Sequence, residues 1–490
     1  MDMYINGKWC AAENNATLDV FNPATEELID TVPNATAGDV DKAVAAAKAA
    51  FHPWRKMTVM ERSEMLREIG IKLDAKRADY AKLLTQEEGK PFDEHMNDEL
   101  VVCLHIVDYY AQLIKNSIGR VLPTDQHETF NFVLKEPYGP TACIVPFNYP
   151  LLIMFWKVIP ALAAGNTVIV RPSDKTPLAT LQLAKDVMDH LPAGVLNIIT
   201  GDVVSGQALA THPDVPTVCF TGSNKVGEEI VRSTAHQFKN LLMELGGKDA
   251  AVVTEDMDVK IAAKALATSA LWNCGQVCTS TERIYVQKSI YEDFVAEITT
   301  NFEKVKIGNG LDEGIEVGPM VDRAAFTKVE THIQDAVAKG ARMATGGKAH
   351  TGFDKGYYFE PTVLADVTSD MLCMTEETFG PTVAIMPYET IDDAIELVNS
   401  SRYGLGAVIM SMDMLKIKRF FEDVKAGTIW VNDPLPDNVG GPFGGMKDSG
   451  MGDFRELGEE GLEAFMETKH VHWSFDPKAL QDGWFGEKIE

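Results

Sequence analysis

The chain has 490 residues, with 45 Lys and Arg against 72 Asp and Glu, giving a formal net charge of −27. Hydrophobic residues make up 45% and charged residues 24%, a balance that excludes a disordered, collagen-like or coiled-coil chain. The length predicts about three domains and a core that needs no staples, and the acidic balance argues against nucleic acid or an anionic membrane as partner.

The first 40 residues read as short strands and turns: YINGKW, with a hairpin signal at Asn6-Gly7, then FNPATEE. The opening MDMYINGKWC has no basic region followed by an apolar run, so no signal peptide is expected. From Asp39 to about Ser117, apolar residues recur at spacings of three and four and predict helices. Residues 118–138 read as extended, with Phe130, Phe132 and Leu134 alternating as in a hairpin arm that leaves its domain. Residues 143–170 approach membrane-span length, but Pro146, Pro150, Pro160 and Lys157 make poor spanning material, and no membrane partner is expected. A buried strand–turn–helix–strand fits better.

From Thr141 the short runs ACIVP, NTVIV, VLNIIT, TVCFTG and NLLMEL alternate with helical stretches at 150–163, 177–190, 203–211 and 224–236. Such alternation predicts parallel βαβ units. A second alternating block runs from Ala250 to about Gly445 and holds AAVV, RIYVQ, PTVLADV, TVAIMPY and GTIWVN. The fold class is therefore α/β with two such domains. The tail ends in the strand-like TKHVHWSF and a polar extension containing Trp484. The seven cysteines are an odd number without dense spacing, and no CxxC occurs. That pattern predicts neither a disulfide framework nor a zinc ribbon, no metal site is expected, and a reducing compartment, the cytoplasm, fits best.

Four places can carry chemistry. Thr221-Gly222-Ser223 follows the strand TVCF and opens a helix, whose N-terminal N–H groups can hold a phosphate; a plain cap is the other reading. Cys278, in NCGQVCTS, has small neighbours whose N–H dipoles favour a thiolate nucleophile, although a lone Cys is commonly a small buried hydrophobe. Glu244, in MELGGK, ends an apolar strand and suits a general base with a raised pKa, or else caps a helix or pairs with Lys248. Asn148, in VPFNYP, can donate to a developing oxyanion or simply turn the chain before Pro150.

Together and in order, PFNYP at 146–150, WK at 156–157, RPSDKTP at 171–177, FTGSNKVG at 220–227, ELGGK at 244–248, NCGQVCTS at 273–280, EETFGP at 376–381, and IWVND with GPFGGMKDSG at 441–450 resemble the NAD(P)-dependent aldehyde dehydrogenase superfamily. The resemblance implies a Rossmann-like parallel-sheet cofactor domain over 1–117 and 139–246 and a catalytic α/β domain over 247–446. A small β oligomerisation arm and tail would cover 118–138 and 464–490, so a homo-oligomer, dimer or tetramer, is implied. Cys278 would attack the aldehyde, Asn148 and the Cys278 N–H would form the oxyanion hole, and Glu244 would activate water to hydrolyse the thioester.

The same resemblance places the cofactor against Ile144, Val145, Pro146 and Phe147, with Gly222 and Ser223 on the pyrophosphate and Val226, Leu245 and Gly246 nearby. Glu377 would hold the nicotinamide ribose and Phe379 would pack on its ring. Arg171, Ser173 and Asp174 would face the adenosine ribose. Asp174 accepts from ribose hydroxyls and favours NAD, while Arg171 leaves NADP possible. Asp453 and Phe454 intervene where the family runs SGxG directly into RELG, and no role is carried over to Glu456. Tyr149 and Trp156 would line the aldehyde tunnel, with Phe443 closing it. No Arg stands between Asn148 and Trp156 or beside Cys278, so a neutral or cationic aldehyde is expected, with Asp433 and Asp437 adding negative potential and Tyr149 and Trp156 offering cation–π contact. Part of the segment resembles betaine-aldehyde and aminoaldehyde enzymes. A CoA-acylating enzyme, a crystallin-like structural protein and a cysteine hydrolase are the alternatives. Glu244 argues against the first, the joint presence of Cys278, Glu244 and Asn148 against the second, and the lack of a motif His against the third.

Overall fold

A computed structural model describes residues 1–116, 119–476, 478 and 484–486; Ile118 of the expected arm and residues 477, 479–483 and 487–490 of the expected tail lie outside the described residues. The five apolar runs after Thr141 become the parallel strands Pro140–Ile144, Thr167–Arg171, Leu196–Ile198, Thr217–Thr221 and Asn240–Glu244. They share one sheet with the N-terminal hairpin Met3–Ile5 and Lys8–Cys10, which joins it antiparallel. Asn6 and Gly7 have φ of 53° and 74°, the left-handed pair that a two-residue hairpin turn requires. All 15 residues of the helix Pro150–Ala164 are buried, which is why its sequence reads like a membrane span. Among the described residues no helix is long and apolar enough to cross a membrane.

The second block forms a seven-stranded sheet in the order Arg342–Thr345, Thr362–Ala365, Thr382–Tyr388, Thr281–Gln287, Asp249–Val253, Gly406–Met410 and Thr428–Val431. Only the first of these pairs antiparallel. Each sheet has its own large apolar cluster, so the molecule has two α/β units. Residues 118–138 are extended as expected from Arg120: Arg120–Leu122 and Thr129–Pro137 pair with the C-terminal strand Met466–Ser474 in a three-stranded sheet.

The segment between 447 and 463, unassigned by sequence, returns to the first unit. Gly450 bridges Glu244, Glu456 bridges Phe443, and the helix Gly458–Glu463 packs on Pro150–Ala164. Asp453 is exposed, so the two extra residues form a surface loop and the chain is back in register by Glu456.

Candidate active site

A cleft of about 860 Å³ lies between the units. The first unit supplies the C-terminal ends of its parallel strands, where ligands of open α/β sheets bind. These are Ile144 to Asn148, Arg171 to Lys175, Phe220 to Ser223 and Glu244 to Gly246, joined by Val226 from the helix Asn224–Thr234. The second unit supplies Cys278, Ala325, Lys328 and Glu377 to Phe379. All three residues expected to do chemistry and all those expected to hold the cofactor therefore face one space.

The residues fit a dinucleotide. Ser223 is the N-cap of an 11-residue helix, yet its side chain makes no capping hydrogen bond, which leaves its hydroxyl free at the positive end of the helix. Partly buried Arg171 gives one Nη to the Gly201 carbonyl (2.6 Å) and keeps its Nε without a protein partner. Phe147 and Phe379 meet edge to face, with centroids 5.9 Å apart, at the other end.

The nucleophile stands on a strained approach. Asn273 and Cys274 have φ of 49° and 56° and Gly275 has φ of 70°, three left-handed residues in a row. A Cβ on Gly275 would lie 2.1 Å from the Gly380 carbonyl oxygen, so only glycine fits. Buried carboxylates pin this turn: Glu94 accepts the Asn273 N–H (3.0 Å) and Glu88 accepts from the Asn273 side chain (2.8 Å). The same Asn273 amide also donates to the Asn148 carbonyl (2.9 Å), tying the nucleophile loop to the oxyanion loop. Asn148 Nδ2 gives one hydrogen to the Gln276 carbonyl (3.0 Å), which leaves its second for a substrate oxygen. Among the described residues the Cys278 N–H has no backbone acceptor.

The charges that act most strongly on Cys278 are negative. Burial, and then Glu244, Asp249, Glu377 and Asp437, push its thiol well above the usual value. Burial and Glu456 push Glu244 well up too, against Lys157, and its Oε1 has no partner. Both shifts run toward the uncharged form of each group. Glu244 does not pair with Lys248, the alternative its sequence left open; Lys248 is bonded to Glu282. Lys157 is buried and bonded to Glu456 and Thr221 (2.7 Å to the latter). Glu456 is a residue the sequence reading passed over, and its partner stands 299 positions earlier.

Tyr149, Trp156 and Phe443 lie outside the lining of the cleft. They belong to the apolar cluster on which Cys278, Trp272 and Leu435 pack. Trp156 and Phe443 touch, with ring centroids 4.7 Å apart. One face of Tyr149 already carries a cation, Lys90, whose Nζ sits 3.5 Å from the ring centre. That contact argues against Tyr149 as an open wall for a quaternary ammonium. Lys90 belongs to a buried cluster, bonded to Glu99 at 2.7 Å, with His95 2.9 Å from the same carboxylate. Burial alone would raise Glu99, but Lys90 and His95 hold it at about 2. Its other oxygen accepts the N–H groups of Leu151 and Leu152 and fixes the start of the helix behind Asn148.

A parallel-sheet cofactor cleft with a thiol, an amide and a carboxylic acid at its inner end defines a dinucleotide-dependent oxidoreductase of the acyl-enzyme kind. The profile of the aldehyde dehydrogenase family matches residues 9–471. Aminoaldehyde dehydrogenase 2, peroxisomal, of Pisum sativum is 39% identical over 96% of this chain and 95% of its own length. The 3-sulfolactaldehyde dehydrogenase of Pseudomonas putida is 38% identical over 96% of both chains. The structure of betaine aldehyde dehydrogenase from Staphylococcus aureus in complex with NAD+ superposes with a TM-score of 0.96 at 35% identity, covering 99% of this chain and 96% of that one. The chain belongs to the aldehyde dehydrogenase family. It is an enzyme that oxidises an aldehyde with NAD.

Proposed function

We propose that Cys278 is the nucleophile, Asn148 the oxyanion donor and Glu244 the base of this oxidation, and that the preferred aldehyde carries a positive charge. The observation that carries the first part is the meeting of these three groups at the end of one cleft. Cys278 gives its proton to water in the cleft, and its sulfur adds to the aldehyde carbon. The alkoxide that forms takes hydrogen bonds from the free Asn148 hydrogen and the Cys278 N–H. Bound NAD supplies the ring that accepts the hydride from that carbon. Cys278 is left as a thioester. Glu244, as carboxylate, takes a proton from water, whose oxygen attacks the thioester carbon and expels the thiolate. Because Glu244 stands at this point, the product is the free acid rather than a CoA thioester; adding CoA to the assay leaves the product unchanged. Asn148→Ala is expected to lower kcat by about 10²–10³-fold with little change in NAD affinity, since it removes one of two oxyanion donors. Single-turnover NADH formation measures this.

Charge rather than identity favours a cationic substrate, since relatives of nearly equal identity are named for an aminoaldehyde and for a sulfonated aldehyde. Asp437 lies within the field of Cys278, and Asp98 lies within the field of Asp437. Asp98 also accepts a hydrogen bond from Trp272, which neighbours the nucleophile turn. Asp437 is exposed and stays open to solvent as an anionic group. For an ω-amino aldehyde, Asp437→Asn should cost about tenfold or more in kcat/KM, the worth of one charged hydrogen bond. A neutral aldehyde of equal length should show no such loss; equal losses on both substrates would remove the carboxylates from recognition.

The outer strand Thr428–Val431 and the arm bearing exposed Val121, Phe130, Leu134 and Trp473 support a homo-oligomer that pairs these edges between copies. The seven free cysteines fit the cytoplasm. Sedimentation of the full chain tests the assembly.

A further inference from the structure

Glu282 stands four residues after Cys278, at the start of the strand Thr281–Gln287, and Lys248 stands four residues after Glu244. Both are buried and bonded to each other. Neither lines the cleft. What the pair holds is the loop that does. The Glu282 carboxylate accepts two consecutive loop amides, from Thr378 (2.8 Å) and from Phe379 (2.8 Å). Lys248 donates to the Thr378 hydroxyl (3.0 Å), which also meets His332 Nδ1 (3.1 Å). On the cleft side of the loop, Glu377 accepts the Gly247 N–H (2.9 Å) and Phe379 meets Phe147.

The loop needs such a clamp. Phe379 has φ of 60°, a left-handed conformation that bulky residues avoid and adopt only when their surroundings impose it. Two charge-assisted hydrogen bonds from successive amides to one carboxylate are strong and directional enough to impose it. Burial alone would raise the Glu282 carboxyl, but Lys248 and the two amides hold it below its usual value, so it stays a charged acceptor.

We propose that Glu282 is a positioning residue for hydride transfer: through Thr378 and Phe379 it fixes the Glu377–Phe379 loop against the strand that follows Cys278. The proposal rests on the reading that Glu377 and Phe379 face the nicotinamide end of the cofactor. The carboxylate itself touches neither substrate nor cofactor. Its effect is to set, from the strand that follows the nucleophile, the distance between the reacting carbon and the wall that orients the hydride acceptor. Misplacement of about 1 Å in such geometry costs about a hundredfold in rate.

The test is Glu282→Gln in the full enzyme. The amide keeps the shape but replaces one acceptor oxygen with a donor. Single-turnover NADH formation is expected to fall about ten- to a hundredfold, while alkylation of Cys278 by iodoacetamide stays within about twofold. A general loss of packing would slow both. The same change is then made in a Glu377→Gln/Phe379→Ala background, where it is expected to cost under about twofold, because the loop no longer presents those side chains. An equal loss in both backgrounds, or an unchanged burst in Glu282→Gln alone, overturns the assignment. A Glu377→Gln/Phe379→Ala enzyme with full burst rate and full NAD affinity overturns instead the reading of the loop as cofactor-facing. Should Glu282→Gln not fold, Glu282→Gln/Lys248→Met removes both buried charges together and is judged by the same outcomes.

Discussion

Cys278→Ala should lose at least about 10⁴-fold in steady-state aldehyde oxidation, the scale seen when a covalent nucleophile is removed. The size follows from the lack of a substitute. Of the seven cysteines only Cys278 faces the cleft. Cys274 is fully buried four residues earlier, its thiol pushed far up by burial and then by Glu94. Cys143 and Cys219 are buried in the central strands of the first sheet. Without the sulfur, hydride would have to leave a hydrated aldehyde in a site crowded with carboxylates that repel the gem-diolate. NAD binding should survive within a few-fold, because Cys278 is one small side chain among more than 30 residues lining the cleft. Fluorescence titration with NADH reads the binding, and mass spectrometry after mixing with aldehyde and NAD reads the acyl adduct. Wild-type enzyme that never gains acyl mass at Cys278 would sink the covalent mechanism, whatever the variant does.

The parts of the site that lie in contiguous motifs were legible from sequence, and the parts assembled across the chain were not. Cys278, Glu244 and Asn148 each sit where a strand or turn ends among small residues, so local pattern exposes them. The helix Pro150–Ala164 was legible as buried because its prolines and lysine contradict a membrane span. Lys157 and Glu456 are bonded across 299 positions, and the two extra residues after Gly452 hid the register of Glu456. Asn273 reads as one polar letter beside a cysteine; its role in tying two loops depends on Glu88 and Glu94, which arrive from a helical region of the first unit. That region also holds a π-turn at His95–Glu99, and the i,i+4 pair His95 and Glu99 meets there out of solvent. Tyr149 shows the reverse case: an aromatic in a motif reads as an open ring, and the structure places Lys90 against one of its faces. Glu282 had no signal, since a charged residue in TSTERIYV reads equally well as a strand edge.

With Glu244→Gln, one equivalent of NADH should form in a burst at close to the wild-type rate, and turnover should then stall. Addition and hydride transfer use Cys278 and Asn148, and Gln keeps the size of the side chain. Only the attack of water on the thioester needs a proton acceptor, and general-base removal costs about 10²–10⁴-fold. Steady-state turnover should fall by that amount. The pH dependence carries the same assignment. Burial and the neighbouring Glu456 hold the Glu244 carboxyl well above the usual carboxylate range, against the pull of Lys157. A group so raised is protonated, and idle as a base, over the lower part of the working range; it gains activity as pH climbs toward its own pKa. Wild-type kcat should therefore rise with pH while deacylation limits the rate, and the Gln variant should be flat on that limb. Quenched-flow detection of the acyl-enzyme makes the distinction direct. Accumulated thioester in the variant, with an undiminished burst, places Glu244 after hydride transfer; a burst that falls in step with kcat would place it before, as the base that ionises Cys278.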